Sequence, residues 1–319
     1  MRIGLDVSGG DFAPKSTLHG ALMVQKELPK SDRIVLIGDK DVIHTFFKEE
    51  DVNPALFDVV DAPDQIEMGE SPTKALVAKP NSSISVGFRM LKHKEIHSFA
   101  SAGSSGAMMV GAIYSVNAIQ GVIRPSTPAY IPKESGGSTI LIDVGTNPDS
   151  KPDVMYQFGL LGSLFAEHVM HVKNPRVGLL NIGTEEKKGN LITLSAFQLM
   201  KDAKDFNFIG NVEGRDLFRD RVDVIVCDGF VGNIVLKEAE AIYRVLVKRG
   251  IKDEYLDRFN YENYGGSPIL GVNSNVIVGH GISNGKAIRQ MLLLSKKIHE
   301  AKLPYKIKHA FEKYAINNI

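Results

Sequence analysis

Ile3-Gly4-Leu5-Asp6-Val7 runs directly into Ser8-Gly9-Gly10-Asp11, and from Thr17 to Leu28 apolar residues recur every three to four positions. The first stretch has the composition of a buried strand, the second that of a tight turn, and the third the period of a helix packed along one side. A strand that bends on glycine into a helix is the building unit of α/β proteins, and the rest of the chain repeats it. Strands are expected at Ile34–Ile37, Phe57–Val60, Ser98–Ala100, Thr139–Val144, Arg176–Asn181, Asn207–Ile209, Val222–Cys227 and Val276–Val278. Helices are expected at Asp41–Glu50, Ser82–His93, Ala107–Gln120, Tyr156–His171, Ile192–Lys201, Ile234–Lys248 and Asn284–Lys302. Most of the strands lack polar alternation, which predicts a mostly parallel sheet covered on both faces, a three-layer α/β/α arrangement. The Pro and Gly clusters at Arg124–Gly137 and Tyr264–Gly271 are short and interrupted by apolar residues. Residues 1–319 are therefore expected to form one compact unit, with room for two lobes.

Composition narrows the partners. The 319 residues are 43% hydrophobic, and 38 Lys+Arg stand against 37 Asp+Glu, so no strongly basic global field is available for nucleic acid. Cys227 is the sole cysteine, which excludes an intrachain disulfide framework and a cysteine-rich metal site. A reducing cytoplasm is the simplest compartment to expect. No apolar run approaches the roughly 18 residues of a spanning helix.

Ligands of open α/β sheets bind beyond the carboxyl ends of the strands, where the glycine-rich turns of this chain fall. Ser8-Gly9-Gly10-Asp11 could aim backbone N–H groups at an anion, although a plain turn explains it alone. In Ser101-Ala102-Gly103-Ser104-Ser105-Gly106, two serines framed by glycines offer more donors than a helix cap needs, which suits a phosphate or carboxylate. The absence of Gly-x4-Gly-Lys-Ser/Thr disfavours nucleotide hydrolysis. Gly279-His280-Gly281-Ile282-Ser283-Asn284-Gly285 is one residue too long for a dinucleotide fingerprint, and read as a nucleophile elbow it lacks a suitable acid and histidine downstream. What survives is a turn that offers His280, Ser283 and Asn284 to an anion or developing oxyanion, with a satisfied turn histidine as the bland alternative. Asn181–Asn190 places Lys187 and Lys188 at the same sheet edge, and a solvated charge run would explain them equally. Asp228-Gly229-Phe230-Val231-Gly232-Asn233 adds a carboxylate and an amide, and Asp143-Val144-Gly145-Thr146-Asn147 repeats the pattern. His93 and His97 have the i,i+4 spacing of a zinc pair but the wrong register for His-Glu-x-x-His, so no metal is expected. Cys227 reads as a buried small hydrophobe. Along Ile234–Gly250, Val235, Ala239, Ile242 and Leu246 are expected to face the core, with interfacial membrane contact as the alternative.

Taken in order, these turns resemble bacterial phosphate acyltransferase, the acyl-carrier-protein:phosphate transacylase of phospholipid synthesis. The similarity also involves Ser71-Pro72-Thr73-Lys74-Ala75, Gly210–Asp216 and Tyr264–Asn284, and it spans almost the whole chain. The resemblance implies a fold like that of phosphotransacetylases and isopropylmalate dehydrogenases. It implies attack of inorganic phosphate on a long-chain acyl thioester of acyl carrier protein, and it calls for no cofactor. It further implies a homodimer at the inner face of the membrane, with a membrane-bound glycerol-3-phosphate acyltransferase as a further partner. On this reading Ser104, Ser105 and Gly106, helped by Lys188, hold phosphate. His280 and Asn233 stabilise the oxyanion or protonate the leaving thiolate, and Asp228 orients a donor. Gly9, Gly10, Asp11, Asp143, Asn147, Ser283 and Asn284 complete the expected substrate-binding set.

The chain departs from the family pattern in places. Ser104-Ser105 stand where Asn-Thr is usual, Val7-Ser8 where Ala-Met is usual, and Asn81 where an Asp precedes two serines. The segment between Lys237 and Tyr264 is shorter than the membrane-binding helical hairpin of many relatives. Two other readings stay open: a short-chain phosphotransacetylase using acyl-coenzyme A, and a non-catalytic scaffold for lipid-synthesis enzymes at the membrane surface.

Overall fold

A computed structural model describes residues 1–317 and divides the chain into two compact units. The first comprises Met1–Asn117 and Tyr261–Glu300. Its six strands lie in the order β10 (Ser267–Pro268), β11 (Asn275–Val278), β4 (Ser98–Ser101), β1 (Arg2–Asp6), β2 (Arg33–Gly38), β3 (Asp58–Asp61). All neighbours are parallel except β10, which runs antiparallel to β11 at the edge. Side chains alternate across the sheet. Val35, Ile37, Phe99 and Val276 pack against α4 (Ser83–Lys92) and α5 (Ser105–Gly111) through Ile84, Phe88, Leu91 and Met108. The opposite face, with Ile3, Leu5, Ile34, Leu36 and Ile277, is equally buried. There α10 (Gly285–Glu300) lies on β1, β4 and β11, and α1 (Lys15–Gln25) lies on α10. The unit is completed by α2 (Lys40–Glu49) and α3 (Pro72–Ala78).

The second unit comprises Ala118–Asn260 and the chain from Ala301. Its sheet has the order β5 (Pro128–Pro132), β6 (Ser138–Ile142), β9 (Val224–Val226), β7 (Arg176–Leu180), β8 (Asn207–Val212), parallel except for the antiparallel edge strand β5. One face is covered by α6 (Pro152–His168), flanked by α7 (Leu191–Met200) and α11 (Leu303–Asn317). Phe158 and Phe165 of α6 are fully buried, each contributing about 2–3 kcal/mol. On the other face Leu141, Val212 and Ile225 meet Val235 and Leu236 of α8 (Gly229–Lys248) and Phe259, which follows the short α9 (Glu254–Asp257).

Each unit thus carries its own mostly parallel sheet between helices, so the α/β layering expected from sequence is found twice. The nine expected strands are present with ends shifted by no more than about three residues, in line with ordinary end effects. Along α8 the sequence pattern is only partly obeyed. Val235 packs inward, but Ile242 is 57% exposed, and Ile234, Val245 and Val247 are exposed with it. Among the described residues no helix is long and apolar enough to cross a membrane.

An ion cluster ties together the amino-terminal edge of the second sheet, opposite the strand ends that carry the glycine turns. Asp223 accepts from Arg176 Nε at 2.9 Å and from the buried Lys133 Nζ at 2.7 Å, and Asp220 accepts from the same two side chains. Burial alone would raise the Asp223 pKa, but the hydrogen bonds from Arg176 and Lys133 outweigh it and hold the carboxyl below the usual carboxylate range. A depressed carboxylate contributes stability above its unfolded pKa and loses it as pH falls towards the folded value. The contribution of Asp223 to the urea midpoint is therefore expected to hold between about pH 7 and about pH 5 and to fall below about pH 4. Asp223→Asn should remove part of that acid slope, and an unchanged slope would refute the assignment.

Candidate functional site

At the carboxyl end of β1, the Asp6 carboxylate is almost completely buried. It accepts from Ser101 Oγ at 2.6 Å and from the Ser8 N–H at 3.0 Å, and also from Ser83 and the Gly9 N–H. Burial raises its pKa, and these donors counter the shift only in part. Ser101 Oγ in turn accepts from the Gly103 N–H at 2.9 Å. The β1 and β4 turns are thereby stitched together, and Gly9 sits in the seam. A Cβ at Gly9 would fall 2.4 Å from Asp6 Oδ2 and 2.7 Å from the Gly103 nitrogen, so only glycine fits. The β11 turn joins them through the Asp11 N–H, which donates to the Gly281 carbonyl at 2.7 Å. Three glycine turns from three adjacent strands therefore meet at one edge of the first sheet.

The expected residues of this unit divide into shaping and presenting groups. Gly9, Gly10, Asp11 and Gly281 build the floor, and the N–H groups of Ser8, Gly9 and Asp11 are held internally. Ser104 is buried and caps α5 by accepting from the Ala107 N–H at 3.3 Å. Ser105 and Gly106 are exposed in the first turn of α5, where helix N–H groups lack intrahelical acceptors. Ser283 is buried, its hydroxyl donating to the His280 carbonyl at 2.5 Å. Asn284 accepts from the Ala287 N–H and donates to Glu262 at 2.7 Å, which fixes the start of α10. His280 is half-buried between Gly279 and Gly281, its ring edge-on to Tyr261 at 5.4 Å.

The second unit builds a comparable corner. Asp143, fully buried just beyond β6, accepts from Asn147 Nδ2 at 2.6 Å and from the N–H groups of Asn147 and Thr146 at 2.8 and 3.1 Å. Burial raises its pKa as well, again opposed in part by those donors. The Gly229 N–H donates to the Asn147 carbonyl at 2.8 Å, so the start of α8 rests on the Asp143 turn. Asp228 caps α8 through the Val231 N–H at 2.9 Å. Asn233 is exposed one turn later, its side chain beside Gly145. Burial pushes the Cys227 thiol well up, so it is a neutral packing residue here. Asp143, Asn147, Asp228 and Asn233 are thus brought together. Lys188 is exposed on the turn of the neighbouring β7, a loop braced by Asn181 Nδ2 to the Lys188 carbonyl and Asn211 Nδ2 to the Glu185 carbonyl. Among the described residues no group of three or more His, Cys, Asp or Glu side chains is placed to hold a metal ion.

Sequence reasoning passed over Asp6 and Ser83. The available signal was an acid inside the otherwise apolar run Ile3–Val7, since a charge is rarely buried there unless hydrogen-bonded.

Comparison with known proteins agrees with this architecture. The family model described as "Fatty acid synthesis protein" matches residues 1–304. Phosphate acyltransferase of Endomicrobium trichonymphae is 39% identical over 338 aligned positions, covering 98% of either chain. That of Desulforudis audaxviator is 42% identical, over 92% of this chain and 90% of its own. Among solved structures, a phosphotransacetylase from Streptococcus pyogenes has a TM-score of 0.67 at 12% identity, covering 94% of each chain. A branched-chain phosphotransacylase from Enterococcus faecalis has a TM-score of 0.64 at 12% identity, covering 94% of this chain and 99% of its own. These two share the fold. The chain belongs to the phosphate acyltransferase family of fatty acid and phospholipid synthesis and is an acyltransferase enzyme.

Proposed function

We propose that the protein transfers a long-chain acyl group from acyl carrier protein to inorganic phosphate, yielding acyl phosphate and free carrier protein for phosphatidic acid synthesis. The observation that supports this most is the near-full-length identity of 39–42% with phosphate acyltransferases. In the reaction a phosphate oxygen attacks the thioester carbonyl carbon. The C–O bond forms, the carbonyl electrons move onto oxygen and return as the C–S bond breaks, and the leaving thiolate takes up a proton. Phosphate is already an anionic nucleophile near neutral pH, so the protein's work is to hold it and to stabilise the oxyanion. Ser105 and Gly106 supply helix-start N–H groups for phosphate, and Ser104, although it caps the helix, still carries an O–H to donate. Gly9, Gly10 and Asp11 shape the floor, Ser283 holds His280 in its turn, and Asn284 fixes the helix start that follows it. In the second unit, Lys188 and Asn233 offer an ammonium and an amide of the kind this chemistry uses. There Asp143, Asn147 and Asp228 fix the turn that carries Asn233. A homodimer working at the inner membrane face, passing acyl phosphate to a membrane-bound glycerol-3-phosphate acyltransferase, completes the proposal.

Incubation with phosphate and either palmitoyl carrier protein or acetyl-coenzyme A, with hydroxylamine trapping of acyl phosphate, tests it. Product from the carrier substrate is expected. Product from acetyl-coenzyme A alone would mark a short-chain phosphotransacetylase, and no product from either would mark a scaffold. His280→Ala is expected to lower turnover of the carrier substrate about a hundredfold, the typical loss of an oxyanion donor. Wild-type turnover would remove His280 from the mechanism.

A further inference from the structure

The glycine floor of the first unit has an apolar rim. Phe12 is 55% exposed, Met68 51% and Ile282 42%. Lone exposed hydrophobics are ordinary, but these three adjoin one contact. The Asp11 N–H to Gly281 carbonyl bond, 2.7 Å long, sets Phe12 and Ile282 one residue from its two ends. Met68 covers the same point, since a Cβ added to Gly281 would lie 2.7 Å from the Met68 methyl carbon.

The backbone beneath this rim is pinned. Gln65 Nε2 donates to the Ser8 carbonyl at 2.9 Å, fastening the Met68 loop to the β1 turn. Lys79 Nζ donates to the Gln65 carbonyl at 2.8 Å and pairs with Glu70 on the other side of Met68. The Tyr261 hydroxyl donates to the Ile282 carbonyl at 2.8 Å. Fixed loops that hold large apolar side chains in water carry a solvation cost that a bound apolar group would relieve.

We propose that Phe12, Met68 and Ile282 form the seat of the substrate's acyl chain, and that side-chain bulk at Met68 sets the preferred chain length. The inference rests on the acyl-transfer reading given above. An acyl chain suits the place better than a protein partner because the rim is only three side chains wide and sits where the β1 and β11 turns of the candidate site meet. A thioester held at these turns would send its alkyl tail over the nearest apolar surface, which is this rim. Burial of a methylene favours binding by up to about fourfold, so even partial cover over several methylenes separates long from short acyl groups.

The test is a series of acyl carrier proteins from butyryl to stearoyl, with kcat/KM measured for the wild type, the single variants Phe12→Ala, Met68→Ala and Ile282→Ala, their triple combination, and Met68→Trp. The truncations should lower kcat/KM by a factor that grows with chain length, reaching about tenfold or more for palmitoyl over butyryl in the triple variant. The KM for phosphate should follow the wild type's. Met68→Trp should move the optimum to shorter chains. The altered side chains are exposed, and circular dichroism melts check that each variant is folded. If the wild type turns over acyl carrier protein but every variant keeps its chain-length profile, the seat is wrong and the reaction stands. If the wild type makes no acyl phosphate from any member of the series, the seat falls with the reaction it serves.

Discussion

Gly232→Ala is expected to lower the unfolding free energy of the second unit by at least about 3 kcal/mol, the upper range for overpacking a dense site. A Cβ at this position would stand 1.8 Å from the Asp143 carbonyl oxygen and 2.8 Å from Cys227 Sγ. Neither obstacle can swing aside. The Asp143 carbonyl belongs to a turn fixed by three hydrogen bonds to its own carboxylate, and Cys227 is buried at the end of the β9 run. The helix must therefore retreat by more than an ångström, and the Gly229 to Asn147 bond must stretch with it. Gly214→Ala in the same unit is the control, because a Cβ there meets nothing within 4 Å. It should change stability by less than about 0.5 kcal/mol. Urea denaturation followed by circular dichroism reads both variants, and coincident midpoints would mean that α8 does not begin against the Asp143 turn. Turnover of palmitoyl carrier protein should fall in Gly232→Ala as well, since Asn233 rides on the displaced residue.

The same positions explain what sequence reasoning reached and where it stopped. Strands β1, β2, β7, β9 and β11 are visible as mostly apolar runs because parallel strands are buried on both faces, and the glycines after them are visible because close backbone approach leaves no room for a side chain. The two antiparallel edge strands are hidden. β5 begins and ends on Pro128 and Pro132, and β10 contains Pro268. Proline reads as a breaker in a sequence but is tolerated where only one side of the strand is laddered. The division into two units is hidden for another reason. Its crossing points, at Asn117, Asn260 and Glu300, carry no extended Pro/Gly linker, and Tyr261–Glu300 returns to the first sheet after more than 140 intervening residues. Helix α5 was expected to continue to Gln120, but it ends at Gly111 and passes into a wider π turn over Ala112–Val116. Ser104, Asn284 and Asp228 read in the sequence as donors or acceptors for a ligand, and each also caps a helix. The residue types that bind anions are those that cap helices, so spacing alone does not separate the two uses.

Asp6→Ala is expected to cost about 2–6 kcal/mol of stability and to lower turnover of palmitoyl carrier protein at least tenfold. The stability figure comes from the two backbone amides, Ser8 N–H and Gly9 N–H, that lose a buried acceptor at about 1–3 kcal/mol each. The hydroxyls of Ser83 and Ser101 can rotate to other acceptors, but the amides cannot. The activity loss follows because the same carboxylate holds the β1 turn to the Ser101–Gly103 turn that leads into Ser104, Ser105 and Gly106. The pH dependence gives a readout that a simple cavity would not. Burial raises the Asp6 pKa in the folded protein, so its contribution to stability is full below the unfolded carboxylate value, about 4, and declines as pH rises through the folded value. The stability gap between wild type and Asp6→Ala should therefore be wider near about pH 4 than at about pH 8, the reverse of the acid loss expected from Asp223. A gap that widened with rising pH would mean that Asp6 is held as a stabilised anion. The turns at this sheet edge would then be shaped by a fixed negative charge, a poor neighbour for phosphate. A buried acid at a strand end ties the turns beyond it together through its hydrogen bonds, against a burial that resists its charge. Asp143 repeats the device, with an acid followed by Val at a strand end, fully buried, its pKa raised by burial and its oxygens taken up by turn amides.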